Sequence, residues 1–91
     1  MAWLGMNDDV VSAQGSILHE QAEKIQQLIQ KVETEVHNLS NNWHGEDSKK
    51  FANEWNSTHK AELQKAKRLL DEMVTTINNE VREQRKTSST Y

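Results

Sequence analysis

Ninety-one residues, a formal net charge of −3, a hydrophobic fraction of 34%, no cysteine and no proline bound what this chain can be. The length allows one domain at most, and the missing thiols exclude disulfides, zinc–thiolate sites and redox chemistry together. The acidic balance argues against a nucleic-acid protein, which shows a basic excess on one face.

The chain opens Met1-Ala2-Trp3-Leu4-Gly5-Met6. It lacks both a basic n-region and an apolar h-region, so no ordinary signal peptide is expected. Residues 1–6 carry no sustained pattern and are expected to fray. From Asp8 onward a heptad seam appears. Val11, Leu18, Ile25, Val32 and Leu39 recur every seven residues, and Gly15, Ala22, Ile29, Val36 and Trp43 do so beside them. This pattern predicts a first helix over about residues 8–41, with Asp8 and Asp9 at its positive dipole end.

Asn41-Asn42-Trp43-His44-Gly45 interrupts the pattern. Asn and Gly tolerate left-handed backbone and cap helix ends, so a turn is expected at 42–45. The second periodic segment steps by three or four through Phe51, Trp55, His59, Leu63, Ala66, Leu70, Met73, Ile77 and Val81. It predicts a helix over about 46–84, opened by Glu46 and Asp47 and closed by Arg82, Arg85 and Lys86. Phe51 and Trp55 read as core, His59 reads as a core or boundary histidine that loosens the bundle when charged unless an acidic partner lies near, and 86–91 reads as a fraying tail. A turn this short makes the helices antiparallel neighbours.

The apolar stripe is wider than one neighbour can cover. Val10/Val11, Ile17/Leu18, Leu28/Ile29, Leu69/Leu70 and Met73/Val74 are doubled apolar positions, as expected when each helix meets two others. The architecture expected is therefore an all-α helix-turn-helix hairpin that dimerises into a four-helix bundle. Its interface is expected on Leu18, Ile25, Ile29, Val32, Val36, Leu63, Leu70, Met73 and Ile77.

The turn carries a resemblance. Trp43-His44-Gly45 lies at the midpoint of a short chain, between two helices and ahead of Phe51 and Trp55. This is similar to the Trp-Xaa-Gly (WXG) family, the early-secreted-antigen-like proteins exported by bacterial type VII secretion systems, over roughly residues 7–85. The resemblance implies an antiparallel dimer with itself or with a paralogous hairpin, and export without a cleaved signal peptide. It also implies that Trp43 and Gly45 form part of an export surface at the turn. Many members carry Tyr-Xaa-Xaa-Xaa-Asp/Glu after the second helix. Here the one tyrosine is Tyr91, the last residue, so either a partner supplies the tail motif or the chain has been shortened, and the expectation tilts slightly toward a heterodimer.

Other chemistries find little footing. His19, His37, His44 and His59 form no i, i+4 pair and no HExxH, so no metal site is expected. Asp8-Asp9, Glu46-Asp47 and Asp71-Glu72 fit solvated helix faces and dipole compensation better than paired-carboxylate catalysis. Ser12, Ser16 and Ser40 lack a Gly-Xaa-Ser-Xaa-Gly context, so neither an enzyme nor a cofactor is expected. Membrane insertion is not expected either, since no apolar run reaches the length of a span and the polar face is not lysine-rich. The alternative to an exported subunit is an intracellular helical adaptor.

Overall fold

The computed structural model describes residues 5–90, with side chains to residue 87. Residues 1–4 and Tyr91, which belong to the stretches expected to fray, lie outside the described residues. Two antiparallel helical rods make a slab 68 × 16 × 15 Å, and no strand occurs among the described residues.

Helix α1 spans Asp8–Asn42. Its N-cap is Asn7, whose side-chain Oδ1 accepts from the Val10 N–H at 3.4 Å, and Asp8 and Asp9 occupy the first turn, at the positive end of the helix dipole. The helix stops where Trp43 turns extended, with φ −135°, while its N–H still donates to the Leu39 carbonyl at 2.8 Å. Gly45 follows at φ +118° and ψ −176°, a conformation that a side chain makes costly. Its carbonyl accepts from the Lys49 N–H at 3.3 Å, and α2 begins at Glu46 (Glu46–Glu54).

The second rod contains a feature that a uniform helical period does not suggest. A π turn occupies Trp55–His59, closed by a hydrogen bond from the Lys60 N–H to the Trp55 carbonyl, before α3 resumes over Lys60–Thr90. A π turn adds one residue to the helical circuit, so the side chain that continues the inward stripe below Trp55 is Lys60 rather than His59. Trp55 is buried at 6% exposure and His59 is exposed. The expectation of a core histidine acting as a pH sensor is therefore corrected. Phe51 is also not core: it is 44% exposed. The expected tail from 86 is corrected as well, because α3 continues to Thr90. Residues 85–90 contain no glycine or proline to break a helix. Arg85 also ties this end to the start of α1, with Nε 2.9 Å from an Asp8 carboxylate oxygen and Nη2 3.2 Å from Asp9.

The seam between the rods is narrow. Ala22, Ile29, Val36, Trp55 and Val81 are its buried hydrophobic residues, and among the described residues no large side chain is fully enclosed. Ile25, Val32, Ala52 and Leu63 pack around the Ile29, Val36 and Trp55 cluster. Gly15 lets the rods close at the open end: a Cβ built there would lie 3.0 Å from Ile77 Cγ2.

Candidate functional site: an apolar face and an aromatic turn

The doubled apolar positions separate cleanly in space. Ile29 is 4% exposed and Leu28 is 47% exposed. In the same way Val11, Leu18, Leu70 and Val74 are half-buried in the seam while Val10, Ile17, Leu69 and Met73 stand in the open. A helix turns about 100° per residue, so the second member of each doublet points sideways from the seam. On α1 the exposed member precedes its partner, as it does for Leu69 and Met73 on α3. Because the helices are antiparallel, this places the exposed members of both on one side of the hairpin. Leu39, Trp43 and Phe51 extend that side to the turn.

The opposite side is polar and holds the cross-rod ion pairs. The Lys60 ammonium lies 2.8 Å from a Glu33 carboxylate oxygen, which also accepts from Trp55 Nε1–H at 3.4 Å. The Lys60 hydrogen bond holds the Glu33 carboxyl below the usual carboxylate range, with Trp55 adding to the effect and partial burial opposing it. Along α3, Lys67 donates to Asp71 at 2.8 Å, a contact that raises the Lys67 pKa. At the open end the Asp8 hydrogen bond, with Asp9 beside it, raises that of Arg85.

At the turn, Trp43 is 42% exposed, and its ring centroid lies 6.0 Å from that of Phe51 at an interplanar angle of 52°. A tilted pair at this spacing is a favourable aromatic arrangement. An open depression of about 420 Å³ adjoins it, bordered by Ser40, Trp43, His44, Gly45, Ser48, Lys49, Ala52 and Asn53. Nothing lies within 4 Å of a Cβ built on Gly45, so Gly45 serves the backbone path and leaves the space beside Trp43 open.

A family model described as WXG100, proteins of 100 residues with WXG, matches residues 4–87. The chain belongs to the WXG family of type VII secretion substrates. WXG proteins are small helical secreted substrates, and the Trp43-His44-Gly45 turn of this one occupies the hinge between its two rods. Comparison with curated proteins and with solved structures finds no match.

The nine residues expected at the dimer interface of this WXG hairpin fall into three groups. Ile29 and Val36 are buried in the hairpin's own seam, and Leu18, Ile25, Val32, Leu63, Leu70 and Ile77 line it half-buried. Met73 stands largely in the open at 49% exposure. The exposed flank of Val10, Ile17, Leu28 and Leu69 was signalled in the sequence by the doublets. The Glu33–Trp55–Lys60 cluster was not signalled, because its spacing depends on the π turn. Among the described residues no group of His, Asp and Glu side chains is placed to hold a metal ion, and no helix is long and apolar enough to cross a membrane.

Proposed function

We propose that this chain is a non-enzymatic export substrate or partner subunit of a bacterial type VII secretion system. It works as a dimeric four-helix bundle with itself or a paralogous hairpin, and it leaves the cell without a cleaved signal peptide. One observation carries the pairing: among the described residues, the exposed members of the apolar doublets fall at helical positions on one side of the hairpin. Isolated exposed hydrophobics are ordinary, but a one-sided group of them marks an interaction surface. Membership of the WXG family supplies the context of export.

The turn is then the surface that the export machinery or the partner's tail meets. Trp43 and Gly45 are its parts: an exposed ring beside an approach free of side-chain bulk. Export and melting temperature measured for Trp43→Ala and Trp55→Ala test this assignment. Trp43→Ala is expected to abolish export while costing less stability than the ~3–5 kcal/mol of a buried aromatic truncation. Trp55→Ala is expected to damage folding itself. Normal export of Trp43→Ala would remove the turn from the signal. Recovery of wild type only in the cytosol, in a strain with a working type VII system, would favour the intracellular adaptor instead.

A further inference from the structure

We infer that the depression beside Trp43 is a binding site for a carboxylate group carried on a flat apolar body. The inference goes beyond the export reading and requires only the geometry of the turn. Two independent observations meet there.

The first is an uncapped helix end. The leading N–H groups of a helix have no carbonyl within it to meet, and α1 answers this with the Asn7 side chain. Helix α2 starts instead from Gly45, where no side-chain cap forms. The backbone N–H groups of Glu46, Asp47 and Ser48 therefore find no acceptor among the described residues. Such a cluster, at the positive end of a helix dipole, favours negative charge.

The second is Ser48 itself. Among the described residues it is the one buried polar side chain, 6% exposed, and buried hydroxyls ordinarily have a protein partner. Its hydroxyl makes no hydrogen bond to any described residue, yet it is not sealed off either. It borders the depression of about 420 Å³, so its free hydrogen-bonding capacity is directed into that space. The half-exposed Trp43 ring, Lys49 and His44 border the same space.

Charge decides the class of ligand. Glu46 and Asp47 are exposed in the first turn of α2, and the Lys49 ammonium lies 3.8 Å from a Glu46 carboxylate oxygen. Two acidic side chains beside the site repel a dianion such as phosphate twice as strongly as a monoanion. A carboxylate brings a single charge and two acceptor oxygens, one for the Ser48 hydroxyl and one for the N–H groups. The Trp43 ring face then suits a flat apolar body attached to it.

The test is a titration of the full chain at neutral pH and constant ionic strength, followed by amide proton and nitrogen shifts. Phenylacetate should move the Glu46, Asp47 and Ser48 signals together along one saturating curve. Phenylacetamide, its neutral counterpart, and inorganic phosphate should each bind there about tenfold more weakly or worse. Ser48→Ala should weaken phenylacetate by about tenfold. The same variant should melt no lower than wild type, because it removes a hydroxyl that no described residue meets. Equal binding of phenylacetate and phenylacetamide, phosphate binding as tight as phenylacetate, or an unchanged affinity in Ser48→Ala would each overturn the proposal. So would a Ser48→Ala protein that melts well below wild type, since the hydroxyl would then serve the fold. An absence of phenylacetate binding together with lost export of Trp43→Ala would overturn this inference and leave the export reading standing.

Discussion

Gly45 and Gly15 lack a side chain for different reasons, and the difference predicts different outcomes. Gly15 sits where the rods close, so an added Cβ meets Ile77 Cγ2 at 3.0 Å. Gly45 has nothing within 4 Å of that position, but its φ of +118° is the problem. Backbone of this kind costs an L-residue about 1–3 kcal/mol. Gly45→Ala is therefore expected to lower the unfolding free energy by that amount in urea titrations, with no change in helical content. An undiminished stability would mean that the turn relaxes into another path. At the same scale, Trp43 and Trp55 separate by exposure alone, 42% against 6%. The heptad seam gave Trp43 an apolar position and the three-and-four spacing of the second segment gave Trp55 one. Neither pattern carried information on Trp43 being the C-cap of α1, where the chain has already turned extended.

At the scale of the element, the first rod follows its sequence more closely than the second. A seven-residue apolar repeat is a direct statement about an uninterrupted helix that keeps one seam against its neighbour, and α1 runs unbroken over Asp8–Asn42. The second rod also has an unbroken three-and-four spacing through Trp55, His59 and Leu63. A uniform α-helix and a helix with one π turn both fit that spacing, and the difference lies in tertiary contacts. Here Trp55 is buried against Ile29 and Val36, and Lys60 reaches Glu33. An α-helical path would place His59 where Lys60 now stands.

The Glu33 carboxylate joins the two rods at this point, and its pH dependence has a definite sign. Its folded pKa is lowered, by the Lys60 hydrogen bond first. A group shifted downward contributes stability above its unfolded pKa, and that contribution is lost as pH falls through the folded value. Thermal melts of wild type and Glu33→Gln should therefore differ at neutral pH, with wild type the more stable. The gap should close below the ordinary carboxylate range, about pH 4. The side chain is partly solvated, so the gap is expected to be small and to shrink with added salt. A gap independent of pH would assign the effect to packing rather than charge.

For the molecule as a whole, the decisive quantity is how little the hairpin encloses. Among the described residues five hydrophobic ones are buried and no large side chain is completely shielded, while the long, thin shape leaves each helix with only one neighbour. Helices gain most of their stability in proteins from packing an apolar face rather than from propensity. Half of the doubled apolar positions on this chain still lack such packing. If pairing supplies it, folding and association are linked, and mass action makes the apparent stability depend on protein concentration. The melting temperature of wild type should rise by several degrees between roughly 2 and 200 μM, in keeping with the ~4–8 °C per kcal/mol typical of domains this small. Leu28→Glu/Leu69→Glu places charge on the open face without touching the buried seam, since both residues are about half exposed. This variant should melt lower and at a temperature indifferent to concentration. A wild-type melting temperature that is flat across the same range would show that the seam from Gly15 to Val36 suffices alone, and that the apolar face is not what holds the fold together.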